Sequence, residues 1–214
     1  MMKKLLIIGG TGGLGSKVAE SINGYDITII GSKDLDIRSS IDCENYFNQN
    51  SFDIVVNFAG VNHDSLIHKL TSKDEANVDH LLDVNIKGTI NIISSCLKNM
   101  RENKYGRIIF ISSVLAEKNV IGTGIYSSCK AFIDRFIKNV SSENIKYGVT
   151  ANTIQLGYFD GGMTYRIPDE YLGAIKESIG LKRFGKIEEL VSTIDYFVNN
   201  EYVTGVNLKI DGNL

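Results

Sequence analysis

The chain is expected to fold as one α/β domain, residues 1–214, on a doubly wound parallel sheet, and three features of the sequence predict this. Short apolar runs alternate with longer segments of helical periodicity, from residues 3–8 to residues 206–210, without an internal repeat. The first run ends in a glycine-rich turn that leads straight into a helix. One proline and no low-complexity tract leave no linker, so a single core is the simplest organisation.

Composition narrows the partners. A formal net charge of -2, with both signs interspersed, supplies no basic field for a phosphate backbone, so nucleic acid is not an expected partner. Cys43, Cys96 and Cys129 lack paired spacing, which speaks against disulfides and zinc and for a reducing, cytoplasmic setting. The N-terminal apolar run stops at Gly9-Gly10 and nothing else reaches membrane length, so neither a leader nor a span is expected. His63, His68 and His80 have neither metal-ligand spacing nor carboxylate company and read as surface or loop residues, with no metal site.

Residues 3–8 read as a buried strand, broken by Gly9-Gly10-Thr11-Gly12-Gly13-Leu14-Gly15, after which Val18, Ala19 and Ile22 mark one side of a helix. In that setting glycines permit a tight turn and close backbone approach to a pyrophosphate, with the helix N-terminus aimed at its charge. The loop reads as G-x-G-x-x-G on Gly10, Gly12 and Gly15 or as G-x-x-x-G-x-G on Gly9, Gly13 and Gly15. Either reading predicts a dinucleotide in a Rossmann-type unit; an ordinary flexible turn is the alternative.

Residues 26–30 form the second strand, closed by Gly31-Ser32-Lys33. An NAD-specific unit would place an acid here for the ribose 2′-hydroxyl. A hydroxyl and a cation suit a 2′-phosphate better, so NADP(H) is favoured over NAD(H), with nearby Asp34 the competing feature. Leu35-Asp36-Ile37 follows too soon for a crossover helix, which needs at least about 10 residues. Ser39 and Asp42 cap a helix through about residue 48, and residues 52–58 make the next strand, ending in Asn57-Phe58-Ala59-Gly60. Small residues at that carboxyl end fit a cofactor lying across the sheet.

Thr71 with Asp74, and Ser72 with Glu75, cap one long helix over residues 73–101. Its apolar stripe is Leu82, Ile86, Ile90, Ile93, Leu97 and Met100, widened by Leu81, Ile92 and Cys96. Asn85 interrupts it, either as a hydrogen-bonded core amide or as part of a proton path. Lys98, Arg101, Lys104 and Arg107 form a loose basic cluster, read as a solvated helix end, with docking of an acidic carrier as the alternative. Residues 107–112 are a strand that delivers Ser113, and a second long helix over 125–147 buries Cys129, Phe132, Ile133, Phe136, Ile137 and Val140. A strand at 149–155, a glycine-containing loop, a short amphipathic helix within 168–180, a helix at 188–199 and a closing strand at 206–210 complete the alternation.

The chemistry centres on Tyr126 and Lys130, which are i and i+4 on one helix face. A cation beside a phenol, whose ordinary pKa is about 10, favours the phenolate and draws that pKa toward neutrality. Ser113 can hydrogen-bond the same substrate oxygen. Spacing alone describes an ordinary exposed pair; its place after Ser113 and downstream of the glycine loop gives it weight.

Together these residues resemble the short-chain dehydrogenase/reductase family in its compact, single-domain form, over nearly the whole chain. Gly9, Gly13 and Gly15 match the family's cofactor loop, with Thr11, Gly12 and Leu14 between them. Asp36-Ile37 match its adenine-contacting pair, Asn57-Phe58-Ala59-Gly60 its Asn-Asn-Ala-Gly signature and Leu156-Gly157 its Pro-Gly. Asn85, Ser113, Tyr126 and Lys130 follow the order of its catalytic tetrad. The resemblance implies Tyr126 as general acid/base, Lys130 as its electrostatic partner and ribose ligand, Ser113 orienting the substrate oxygen and Asn85 holding a relay water. It also implies an NAD(P)(H)-dependent interconversion of ketone and secondary alcohol, nearest the 3-oxoacyl-carrier-protein reductases, on a small-molecule substrate that includes carrier-linked ones, by a homodimer or homotetramer. Ile8, Phe58, Leu156, Gly161 and Asn213 depart from the usual threonine, asparagine, proline, threonine and glycine. The shortened segment after the second strand is similar to the nucleotide-sugar reductases, which makes such a reductase one alternative and a non-catalytic dinucleotide-binding regulator or scaffold another.

Overall fold

A computed structural model describes residues 2–214. Its described residues form one six-stranded sheet, all parallel, in the order β2-β1-β3-β4-β5-β6. The strands are β1 (Lys4–Ile8), β2 (Asp26–Ile30), β3 (Ile54–Asn57), β4 (Gly106–Ser113), β5 (Val149–Leu156) and β6 (Asn207–Ile210). Strand order reverses beside β1, and the crevice at such a switch point lies outside the strands' carboxyl ends.

Both faces are covered, which is why the strands read as continuous apolar runs rather than alternating ones. Leu6, Ile8, Val55, Ile108 and Phe110 point to one face and Leu5, Ile7, Ile54, Val56 and Ile109 to the other. The first set packs under α2 (Ser40–Gln49), α4 (Gly88–Glu102) and α5 (Gly124–Asn144), through residues such as Phe47, Ile92 and Ile137. The second packs under α1 (Gly13–Ser21) and α7 (Ile187–Asn199), through Val18, Leu190, Ile194 and Phe197. Each fully buried Leu, Ile or Phe contributes about 1.5–3 kcal/mol to that closure.

Residues 31–37 carry neither strand nor helix, as the short spacing there requires. Ile37 is pinned in the core instead: its carbonyl accepts from Asn91 Nδ2 at 2.9 Å, and a Cβ on Gly88 would strike its side chain. Ser39 caps α2 by accepting from the Asp42 amide at 3.2 Å.

The single helix expected over residues 73–101 is divided. A capping box on Thr71 and Asp74 opens a short 3-10 turn, followed by α3 (Glu75–Leu82), a π turn at Asp83–Lys87 and then α4. The extra residue in the π turn breaks the apolar stripe into two faces. Ile92, Ile93, Cys96 and Met100 meet the sheet, whereas Leu82 and Ile90, expected in the stripe, are exposed.

Arg107 also departs from the solvated basic cluster. It opens β4 on the inner side, 2% exposed, and its guanidinium donates to the carbonyls of Val198, Gly106 and Gly148 and to Glu201 Oε1. The Tyr105 ring lies 4.2 Å from it. A strand packed on both faces leaves Arg107 little access to water, so the charge is satisfied by backbone oxygens and by the Glu201 carboxylate.

α6 (Asp169–Ser178) is short and has no buried residue, and α7 is strongly amphipathic with Leu190, Ile194, Phe197 and Val198 inward.

Candidate active site

The carboxyl ends of β1, β3, β4 and β5 lie side by side along one end of the sheet. The glycine loop begins where the Gly9 and Gly10 amides donate to the Ile30 carbonyl at 2.9 and 3.1 Å, turning the chain across β2. Gly9 has φ +76, and a Cβ there would lie 2.7 Å from the Ala59 amide nitrogen. Gly15 faces the Gly9 carbonyl so closely that a Cβ would overlap it. Glycine is therefore demanded by the turn at both positions.

Beyond that tight core the loop is open. Gly12 caps α1 without a side-chain hydrogen bond, and a Cβ there would meet nothing within 4 Å. The N-terminus of α1 is thus open at Gly12, where the helix's first amides and the positive end of its dipole fit a pyrophosphate, while Gly162 packs against Gly13 and Leu14. Asn57 Oδ1 accepts from the Ala59 amide at 3.1 Å and fixes the next turn alongside.

At the far end of β2, Thr11 lies directly on Gly31, with Ser32 and Lys33 exposed beside it. The Asp34 carboxylate turns back onto the Gly31 amide at 2.8 Å. Asp36 gives both oxygens to Arg38, at 2.8 Å from Nε and 2.7 Å from Nη2, while Ile37 is buried. Gly157 is packed out by its neighbour, since a Cβ there would fall 2.8 Å from Asp211 Cα.

The four candidate catalytic residues come together. Asn85 sits in the π turn, 1% exposed, and its amide is paired with Val61 in both directions, 3.0 Å to the nitrogen and 2.7 Å to the oxygen. Ser113 ends β4, and its hydroxyl accepts from the Leu115 amide at 3.2 Å. Tyr126 and Lys130 stand one turn apart on α5, both buried. A Cβ on Gly60 would lie 3.3 Å from Asn85 Oδ1 and 3.4 Å from Lys130 Nζ, so the missing side chain at Gly60 opens the floor these groups share.

The electrostatics differ from the expectation that Lys130 would lower the phenol's pKa. Burial pushes Tyr126 up to about 12, with the neighbouring Ser113 hydroxyl pulling the other way. Lys130 Nζ donates to the Ile111 carbonyl at 2.9 Å and lies 5.6 Å from the centre of the Tyr126 ring, over its face rather than at its hydroxyl. Burial lowers Lys130 itself to about 8, opposed by the charge of Asp134. The phenol is consequently a firmly protonated donor at neutral pH, suited to protonating an alkoxide oxygen.

Several neighbours were not legible beforehand. Lys17 on α1 donates to the Asp160 carbonyl at 2.7 Å and the Tyr165 hydroxyl at 3.0 Å, and Tyr165 donates to Asp160 Oδ1 at 3.1 Å. This latch holds the loop after β5 against α1, where Gly161 and Gly162, at φ +156 and +60, pass over Leu14. His63, expected without carboxylate company, has its Nε2 3.5 Å from Asp74 Oδ1, because the turn before α3 folds back onto it. Asp134 lies one turn beyond Lys130 in an otherwise apolar stripe, and that interruption was the available signal.

Comparison with known proteins follows the same lines. A family model described as enoyl-(acyl carrier protein) reductase matches residues 14–213. An acetoacetyl-CoA reductase of Allochromatium vinosum is 30% identical over 205 residues, spanning 92% of this chain and 81% of that protein. A 3-oxoacyl-(acyl-carrier-protein) reductase FabG of Buchnera aphidicola is 30% identical over 241 residues, spanning 99% and 97%. Among solved structures, ElxO with NADP bound has a TM-score of 0.88 at 22% identity and covers 99% of this chain, a likeness of fold.

The buried ammonium gives a pH signature. Lys130 holds its proton up to about 8 when folded and to its ordinary value of 10.5 when unfolded, so between them the unfolded chain binds more protons and stability rises with pH. Lys130→Met should remove that rise. Its stability relative to wild type is expected to be highest below about pH 8 and to shrink toward pH 10.5, as read by urea unfolding across that range. A pH-independent difference would contradict the buried charge.

Proposed function

The chain belongs to the short-chain dehydrogenase/reductase family and is an NAD(P)-dependent reductase of keto groups, and on that premise we propose that it reduces a 3-oxoacyl thioester, carrier-linked ones included, with Tyr126 as the proton donor. The observation that carries this reading is the grouping of Asn85 and Lys130 about Gly60, with Tyr126 one turn from Lys130 on α5 and Ser113 beside its phenol. Two of the similar proteins act, by their names, on acetoacetyl-CoA and on 3-oxoacyl-(acyl-carrier-protein).

The dinucleotide, when bound, supplies the hydride. Thr11, Gly12, Gly13 and Leu14, at the N-terminus of α1 that is open at Gly12, would hold its pyrophosphate. Ala59 and Gly60 leave room across the ends of β1 and β3 for the rest. Ser113 orients the substrate oxygen by a hydrogen bond, and Tyr126 then transfers its phenolic proton to that oxygen as negative charge develops there. Lys130 places a positive charge beneath the ring, which stabilises the phenolate left behind. Asn85, fixed by Val61, keeps the π turn open toward Lys130 for proton resupply.

NADP(H) is the preferred cofactor in this reading. Ser32 and Lys33 are exposed beside Thr11, while Asp34, the acid that would favour a 2′-hydroxyl, is committed to the Gly31 amide. The exposed Leu82 and Ile90 supply an apolar face for a homodimer or homotetramer. Among the described residues, no helix is long and apolar enough to cross a membrane.

Tyr126→Phe is expected to retain NADPH binding, measured by fluorescence, and to lose at least about 100-fold in kcat for NADPH oxidation with acetoacetyl-CoA. Binding without turnover by the wild type would favour a regulator instead. Lys33→Ala should weaken NADPH by roughly tenfold and leave NADH nearly unchanged, since it removes one exposed charge partner of the 2′-phosphate; equal losses for both would dispose of the preference. Sedimentation at micromolar concentration should give a dimer or tetramer, and a monomer would remove Leu82 and Ile90 from that role.

A further inference from the structure

We propose that Asp134 is the counter-charge that keeps Lys130 protonated, and so a positioning residue of the site; this rests on the reading of Lys130 as the cationic partner of Tyr126. Three side chains, Tyr126, Lys130 and Asp134, follow one another at i+4 along α5, each no more than 8% exposed. An isolated ammonium is costly at such depth, and Asp134, one helical turn away on the same face, supplies a charge that opposes the desolvation of Lys130.

β5 holds Asp134 in place. Thr153 Oγ1 donates to Oδ1 at 2.8 Å and Gln155 Nε2 to Oδ2 at 2.7 Å, and residues 153 and 155 share one face of the strand. Both oxygens thus meet donors, the pattern of an ionised carboxylate. Gln155 also donates to Glu117 Oε1 at 3.0 Å, and Lys209 of β6 closes the line on Glu117 Oε2 at 2.9 Å. On the other side Thr153 Oγ1 lies 3.0 Å from Asn207 Oδ1.

The surroundings of Lys130 leave Asp134 as the formal negative charge acting on it. From β4 it meets the Ile111 carbonyl, from the π turn the neutral Asn85 amide, and from α5 the Tyr126 phenol, the Cys129 thiol and Asp134. Burial pushes both the phenol and the thiol up, so neither is ionised near neutrality. Glu117 is one link further off, neutralised by Lys209, with Lys138 nearby. Removing the Asp134 charge leaves the desolvation of Lys130 unopposed.

Asp134→Asn is a near-isosteric test whose hydrogen bonds can still close. The new amide nitrogen can donate to Thr153 Oγ1, which passes its own proton to Asn207 Oδ1, while the remaining oxygen accepts from Gln155. In full-length protein labelled at lysine Cε, the Lys130 resonance, assigned with Lys130→Met, is followed by NMR against pH. Its midpoint is expected to fall by at least about one pH unit in Asp134→Asn and to hold its wild-type value in Asp134→Glu, a tenfold change in proton affinity. The alkaline limb of NADPH-dependent acetoacetyl-CoA reduction should move with it. Asp134→Ser serves as a second neutral variant if the asparagine protein does not fold. A Lys130 midpoint unmoved in the neutral variants, with only a loss of stability, would overturn the proposal. Absence of turnover in the wild type would instead count against the ketone-reductase reading, and the NMR titration would still decide the role of Asp134.

Discussion

A lysine ammonium held almost out of water beneath α5 sets the terms for the rest of the site. Lys130 cannot be buried there without an acceptor at its head, which the end of β4 provides through Ile111, and without a compensating charge within a helical turn, where Asp134 stands. The parallel sheet makes this possible. β4 and β5 run side by side in register from Gly106 with Val149 to Ser113 with Leu156, so one strand offers a carbonyl and the next offers Thr153 and Gln155 under the same helix. Low dielectric raises the stakes of each contact, because a half-satisfied polar cluster is worse than an apolar one.

Burial acts in opposite senses on the two neighbours. It makes the Tyr126 phenol reluctant to ionise and the Lys130 amine reluctant to be charged. The result is a poised pair, a protonated donor above a cation whose charge is marginal, and it suits delivery of a proton better than its removal. Sequence spacing suggested a simpler picture in which the cation lowers the phenol's pKa; the side chain's reach to the Ile111 carbonyl, over the ring face, is what spacing does not convey.

The fold was legible because its signals are local. Apolar runs such as Leu5-Leu6-Ile7-Ile8, the crowded turn at Gly9 and Gly15 and the caps at Ser39 and Thr71 are each written within a few residues. The order of Asn85, Ser113, Tyr126 and Lys130 was read through the family's pattern, with Ser113 at the end of a strand and Tyr126 and Lys130 one turn apart on a helix. Less could be read where a single residue changes phase, as in the π turn, which moved Leu82 and Ile90 from the core to the surface. The latch of Lys17 with Tyr165 joins residues 148 apart through exposed polar atoms and has no periodic trace at all. Arg107 read as part of a charged cluster because composition counts its charge, whereas its strand position decides where that charge goes.

That guanidinium draws its acceptors from widely separated parts of the chain: Gly106 beside it, Gly148 just before β5, and Val198 near the end of α7, 91 residues away. A partly synthesised chain that has formed β4 but not α7 therefore carries a cation with acceptors missing and the apolar surface of Leu190, Ile194 and Phe197 unsupplied on that face. The closing of loops this long is costly in entropy and is repaid only when the last partners arrive. The pairing of that charge is therefore complete only where the end of α7 meets the entry of β4, which ties the last helix to the middle of the sheet.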